Sequence, residues 1–318
     1  MTFIASVIAK NGVALIADSL VTTSEYMIHS HDFLKYLKEK ENKGEDNDFN
    51  LSVEELMGLF KAKPSYTKDY EEKLFPCDKH SAISCAGMAI INDKNMHELV
   101  EGFVSTLPHG ASQLNKKTKT KAKDFAKFLD NEVREHLNKY DSIDSATFLF
   151  TNYNHKKKDI GIYRIYVFPS QKSDLQNKDY KFVGFTKSYD FEKVVCIGQN
   201  RISERILFGE YFAFPEILPN IIKRMTEDFG IKETEIPKNY VEQIIEDDAV
   251  KKSLMKDIKI NRLRDLSLQQ AVDLAKLLMR IEMDFQSYTE NIPTVGGVIK
   301  VAVIDKEGFR FIAGNTIS

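Results

Sequence analysis

The chain has 318 residues, of which 42% are hydrophobic and 29% charged, with a formal net charge of -2 at pH 7. That apolar content suffices for a substantial core, and the near-neutral balance excludes a general nucleic-acid binder or a trap for acidic substrates. No run approaches the roughly eighteen apolar residues of a membrane span, no basic-then-apolar leader opens the chain, and three cysteines at no metal-ligand spacing point to a reducing cytoplasm.

Two short runs rich in Ile, Val and Ala, residues 2–8 and 13–18, flank Lys10-Asn11-Gly12. Asn-Gly between β-forming runs predicts a tight hairpin, because both residues tolerate positive φ. Folding the runs together makes Thr2 and Asp18 neighbours. Residues 27–69 then carry a charged segment, 38–48, and a capping box at Ser52 and Glu55, which predicts two short helices around a solvated loop. Over 88–107 the apolar residues Ile91, Met96, Leu99, Val100 and Phe103 recur with a helical period, ended by Pro108-His109-Gly110. The lysine run 116–123 lacks Arg and interleaved aromatics, and reads as the solvated start of a second helix reaching Tyr140.

Four strand candidates, 146–151, 161–168, 180–185 and 193–197, suit an antiparallel meander. An insertion over about 208–263 has breaker signals at Pro215, Pro219, Gly230 and Pro237, and predicts a helix over about 240–254. Ser267 and Gln270 form a second capping box that opens a helix through Phe285, and 298–304 with 309–313 make a closing hairpin. Strands, helices, strands, helices, strands is an α+β order.

The chemistry begins at Thr2. Once a preceding Met is removed, its free α-amino group, with a reference pKa of about 7.7–8.0, stands next to its own hydroxyl, so nucleophile and base share one residue. The plainer alternative makes Thr2 the β-branched first residue of a strand. His29-Ser30-His31-Asp32 lacks a third ligand and reads as surface histidines, so no metal is expected. There is no Gly-rich phosphate loop and no Gly-x-Ser-x-Gly elbow, and no cofactor is expected.

A second stretch runs from Lys73 through Cys85-Ala86-Gly87. Thr2 and Asp18 are sixteen residues apart and Lys73 and Gly87 fourteen. On these spacings the chain resembles the proteasome β-subunit and HslV family of N-terminal threonine peptidases, as a divergent bacterial proteasome-like member. Val195-Cys196-Ile197-Gly198 resembles the family's strand-Gly-helix passage, residues 267–272 its penultimate helix, and Gly296-Gly297 through Gly308 its final hairpin.

The resemblance implies the four-layer αββα sandwich of N-terminal nucleophile hydrolases, one domain over 1–318 with insertions at about 27–69 and about 208–263. It implies Thr2 as nucleophile, Lys73 as an ammonium beside its hydroxyl, Asp18 as the counter-charge, and the Gly87 N–H as oxyanion donor. Cys85 and Ala89 would line the pocket for the residue before the scissile bond and favour apolar side chains there. The implied partners are copies of the chain in a ring, peptide or unfolded protein as substrate, and a separate ATPase unfoldase. The chain departs from the pattern where Gln199 follows Gly198 in place of Ser, and where Ile292 and Val295 stand in place of Asp and Ser. Glu290, Asn291 or Thr294 could substitute after a shift. Two other readings stay open: an amidase of the same fold acting on a small amide, and a non-catalytic ring subunit or scaffold.

Overall fold

The computed structural model of the protein describes all residues except 1, 43–52, 69, 108–115, 156, 189–192, 209–213, 231, 233–235, 238, 255–262, 290–292 and 315–318. The Ser52 capping box, the Pro108-His109-Gly110 stop, most of the charged segment 38–48, Glu290, Asn291 and Ile292 lie outside the described residues.

Ten strands carry the two principal sheets: β1 (Phe3–Ile8), β2 (Gly12–Ala17), β3 (Leu74–Asp78), β4 (Ser81–Gly87), β5 (Ala146–Asn154), β6 (Asp159–Val167), β7 (Val183–Lys187), β8 (Val194–Gly198), β9 (Lys300–Asp305) and β10 (Phe309–Ala313). They form two five-stranded antiparallel sheets, β8-β1-β2-β9-β10 and β7-β6-β5-β4-β3. Four helices pack with them: α1 (Met96–Ser105), α2 (Thr118–Lys139), α3 (Arg201–Phe208) and α4 (Leu268–Thr289). The architecture is mixed α and β with antiparallel sheets, compatible with the α+β order in the sequence.

Strand alternation partitions the core. In β1, Phe3, Ala5 and Val7 pack with Val272, Ala275 and Leu278 of α4. Ile4, one residue out of phase, packs with Leu149 and Ile162 of the other sheet. On the second sheet Phe148 and Phe150 join Phe125 and Leu129 of α2 and Leu99 and Phe103 of α1. Each of these apolar side chains is at most 3% exposed, and burying one fully stabilises by about 1.5–3 kcal/mol.

The first hairpin forms as predicted, with Ile4 opposite Ala17 and Ile8 opposite Val13, but for a different reason at its turn. Neither Asn11 nor Gly12 has positive φ; the Ala9 N–H closes the turn on the Gly12 carbonyl at 2.8 Å. Gly12 is required instead by crowding, because a Cβ there would lie 2.8 Å from the Ile304 carbonyl oxygen. The predicted four-strand meander also needs correction. β5, β6 and β7 follow one another in one sheet, whereas β8 crosses to the other and pairs with β1.

Residues 88–107 are helical only from Met96. Before it, Asn92 (φ 51°) and Asp93 (φ 61°) adopt the left-handed conformation and turn a short ladder, Ile90–Ile91 on Lys94–Asn95. Asn95 then caps α1 through a reciprocal box with Glu98. The helix expected over 240–254 is two, Tyr240–Glu246 and Asp248–Leu254, because Asp247 is extended and its carboxylate accepts the Ala249 and Val250 N–H groups at 2.8 and 3.0 Å. Pro215 and Pro219 break nothing; both lie within the helix Phe214–Phe229. The first insertion contains the two expected helices, Ser30–Asn42 and Val53–Leu59, and its end, Lys61–Lys68, pairs with Val21–Met27 just before it, which the sequence did not suggest. Among the described residues no helix is long and apolar enough to cross a membrane.

Candidate active site

The β3–β4 hairpin sets Lys73 opposite Cys85, whose N–H donates to the Lys73 carbonyl at 3.0 Å. Gly87 therefore lies two residues further along β4, at the end where β5 starts. There Gly87 has φ +104°, and a Cβ would come within 2.6 Å of the Ser145 carbonyl oxygen, so only glycine fits. β1 meets this end through Thr2, whose carbonyl accepts the Gln199 N–H at 2.6 Å. Gly198, at φ +85°, allows that approach, since a Cβ would collide with the Thr2 carbonyl.

Thr2, Lys73, Cys85, Gly87 and Ala89 all line one cavity of about 300 Å³. Asp18 stands behind it. Its Oδ1 accepts from the Lys73 ammonium at 3.0 Å and from the Phe3 N–H at 3.1 Å, and its Oδ2 accepts from the Gly296 N–H at 3.2 Å. Lys73 also donates to the Leu20 carbonyl at 2.6 Å. Thr2, Asp18 and Lys73 are 6, 2 and 6% exposed. Burial pushes the Lys73 ammonium below its ordinary pKa, with the Asp18 charge opposing, and pushes the Asp18 carboxyl up against the pull of Lys73 and the backbone donors. Burial likewise raises the Cys85 thiol to about 12, which disfavours its thiolate near neutral pH.

Gln199 meets the loop before β9. Thr294, fully buried, hydrogen-bonds through its hydroxyl to the Gln199 side chain. Gln286 near the end of α4 fixes that loop, its Oε1 accepting from the Thr294 and Val295 N–H groups at 2.7 and 2.9 Å. Of the three candidates for substitution, Thr294 is thus tied to the Thr2 anchor through Gln199.

Sequence reading missed the acidic part of the lining, Glu71, Glu72 and Asp144. These carboxylates share the cavity with Cys85 and Ala89, the residues expected to favour apolar side chains: Glu72 is held by Lys300, whereas Asp144 is exposed and makes no ion pair among the described residues. No spacing signal could have found Asp144, which arrives only because β5 registers Ala146 opposite Gly87. His31, on the candidate histidine pair, has a side chain 88% exposed beside Asp32, and among the described residues no three His, Cys, Asp or Glu side chains gather as a metal site requires. No family model matches the chain, and no curated protein matches it.

Proposed function

We propose that the protein is a proteasome-like N-terminal threonine peptidase, built as the αββα sandwich of N-terminal nucleophile hydrolases and acting on peptide or unfolded protein. The observation that carries this reading is the meeting of Thr2, Lys73 and Gly87 on one cavity with Asp18 bonded behind Lys73. The reading requires cleavage of the bond before Thr2. The freed amine then takes the hydroxyl proton, directly or through one water, and the oxygen attacks the substrate carbonyl. The Lys73 ammonium favours the developing alkoxide, and the Gly87 N–H donates to the oxyanion, a contribution of about a hundredfold to a thousandfold in rate. The amine returns its proton to the leaving nitrogen, and water hydrolyses the acyl ester to restore Thr2. No cofactor enters these steps. Assembly into a ring of identical copies, fed by a separate ATPase, belongs to the same proposal.

Hydrolysis of a fluorogenic peptide panel tests it, with intact mass measured on the same sample. The active species should lack Met1, Thr2→Ala should abolish turnover, and Thr2→Ser should retain part of it. Full activity in Thr2→Ala, or in protein that keeps Met1, would reject the mechanism. Stable, correctly processed protein with no turnover on any amide would leave the scaffold reading.

A further inference from the structure

A larger cavity, about 520 Å³, lies at the opposite end of β1 from Thr2, some 20 Å away by the rise of a strand. It is lined by the residues that end β1, the start of α2, Asn154 with residues 157–163, and Lys187, Ser188 and Lys193. Among the described residues, seven lysines face it against one carboxylate, Asp159. Lys10 is tied to Asp265 at 3.3 Å. Lys117, Lys119, Lys157, Lys158 and Lys193 make no ion pair and no side-chain hydrogen bond among the described residues.

Solubility alone does not explain this grouping, since like charges in one concavity repel and a solvating set is better spread out. Nor does packing. Two other lysines of the same run have structural partners: Lys121 turns inward to Asp78 at 2.7 Å and Asn152 at 3.0 Å, and Lys116 reaches Asp124 at 3.4 Å. Lys117 and Lys119 are left to the cavity.

Two further features add to the lysines. The 22-residue helix α2 begins at this wall with no acidic residue in its first turn and no side-chain cap at Lys117, so its N-terminal dipole adds positive potential. Gly161 lets it sit so low, because a Cβ there would lie 2.7 Å from the Thr118 methyl. Ser188 also lies on the lining, and its buried hydroxyl has no hydrogen-bond partner among the described residues.

The chemistry of the lining selects the ligand. Several ammonium groups call for several negative charges on one small molecule. Among the described residues of the lining no arginine offers the planar fork that matches a single carboxylate, whereas ammonium point charges suit phosphate oxygens pointing in several directions. Among the described residues the one aromatic side chain of the lining, Tyr163, is 7% exposed and packs against Phe185, so it offers no open ring face for stacking a base. We propose that this cavity binds a small oligophosphate, either a linear phosphate chain or a polyol carrying several phosphates, at a site separate from Thr2.

Calorimetric titration of the full chain with tripolyphosphate, and separately with inositol hexakisphosphate, at about 150 mM salt tests the proposal and distinguishes the two ligand sources. Saturable binding at one site is expected for at least one of them. Lys117→Gln, Lys119→Gln and Lys158→Gln together should weaken it by roughly tenfold or more, at the scale of a modest ion pair each. Lys35→Gln, Lys232→Gln and Lys276→Gln remove the same charge elsewhere on the surface and should change nothing. Equal weakening in both triple variants, or no saturable binding, overturns the site. On the unaltered protein, tripolyphosphate should shield Lys117, Lys119, Lys157, Lys158 and Lys193 from acetylation while Lys35 stays reactive; uniform reactivity overturns it as well. So does displacement by duplex DNA with a stoichiometry that grows with duplex length, which would mark a nucleic-acid surface instead.

Discussion

Lys73 has its ammonium held by Asp18 and the Leu20 carbonyl, and it reaches the cavity beside Thr2. Lys73→Ala should cut peptide turnover by about a hundredfold to ten-thousandfold, the range of a positioned acid–base group. The fold should survive, because Asp18 keeps its Phe3 and Gly296 donors. Asp18→Asn should lower turnover in the same direction, by loss of the counter-charge; unchanged rates in both variants would remove this pair from the mechanism. The pH profile follows from the same groups. Turnover should rise as the Thr2 amine loses its proton, near pH 7.7–8.0 for an ordinary α-amine. It should fall again as Lys73 loses its charge, and because burial lowers that pKa, the alkaline limb must lie below the ordinary 10.5. Asp144 adds a negative charge to the cavity rim, so substrates with Lys or Arg before the scissile bond should be preferred. Asp144→Asn should reduce kcat/KM for those substrates about tenfold, equivalent to about 1.4 kcal/mol, and leave a Leu substrate unaffected.

Among the elements, α4 does the most to hold the site in place. Its capping box is in place, Ser267 N–H to Gln270 at 2.9 Å and Gln270 N–H to the Ser267 hydroxyl at 3.2 Å, as the sequence predicts. Its far end carries Gln286, which clamps the Thr294 loop. Between them Glu282, 3% exposed, accepts the Ser203 N–H of α3 at 2.7 Å. Desolvation raises its pKa against the pull of that bond. The folded chain thus holds this proton more tightly than the unfolded chain. Its contribution is fully present below the ordinary value of 4.5 and is lost as pH rises through the raised one. Glu282→Gln keeps the acceptor and removes the buried charge. It should raise Tm by about 1–2 °C at pH 7, and the gain should disappear at pH 4. A lower Tm at pH 7 would mean the charge itself is stabilising.

At the scale of the whole molecule, the helix Phe214–Phe229 presents Ile217, Ile221, Met225 and Phe229 on one face, four residues apart and 44–72% exposed. An apolar stripe of that length is costly to leave in water. It suits the proposed assembly of identical copies. Light scattering should give a mass several times 36.5 kDa. Ile221→Glu with Phe229→Glu should shift the population toward smaller species if the stripe lies between copies; a monomer in the unaltered protein would exclude the ring.

The sequence by itself determined what depends on neighbours along the chain. The alternation of the first hairpin, the Ser267 box, the long helix after Lys117 and the closing hairpin rest on periodicity, capping and turn chemistry within a few residues, whereas Gly12 at the first turn is required by its contact with Ile304. The spacings from Thr2 to Asp18 and from Lys73 to Gly87 were also legible, because each spans a single hairpin whose register fixes the distance. Tertiary structure alone decided how the two hairpins meet. β8 crosses to the sheet of β1 and brings Gln199 to the Thr2 carbonyl, and the register of β5 on β4 brings in Asp144. These contacts join residues far apart in sequence through β pairing and the burial of two sheets against each other. Local propensity carries no record of them, and the lysine cavity at the far end of β1 arises in the same way.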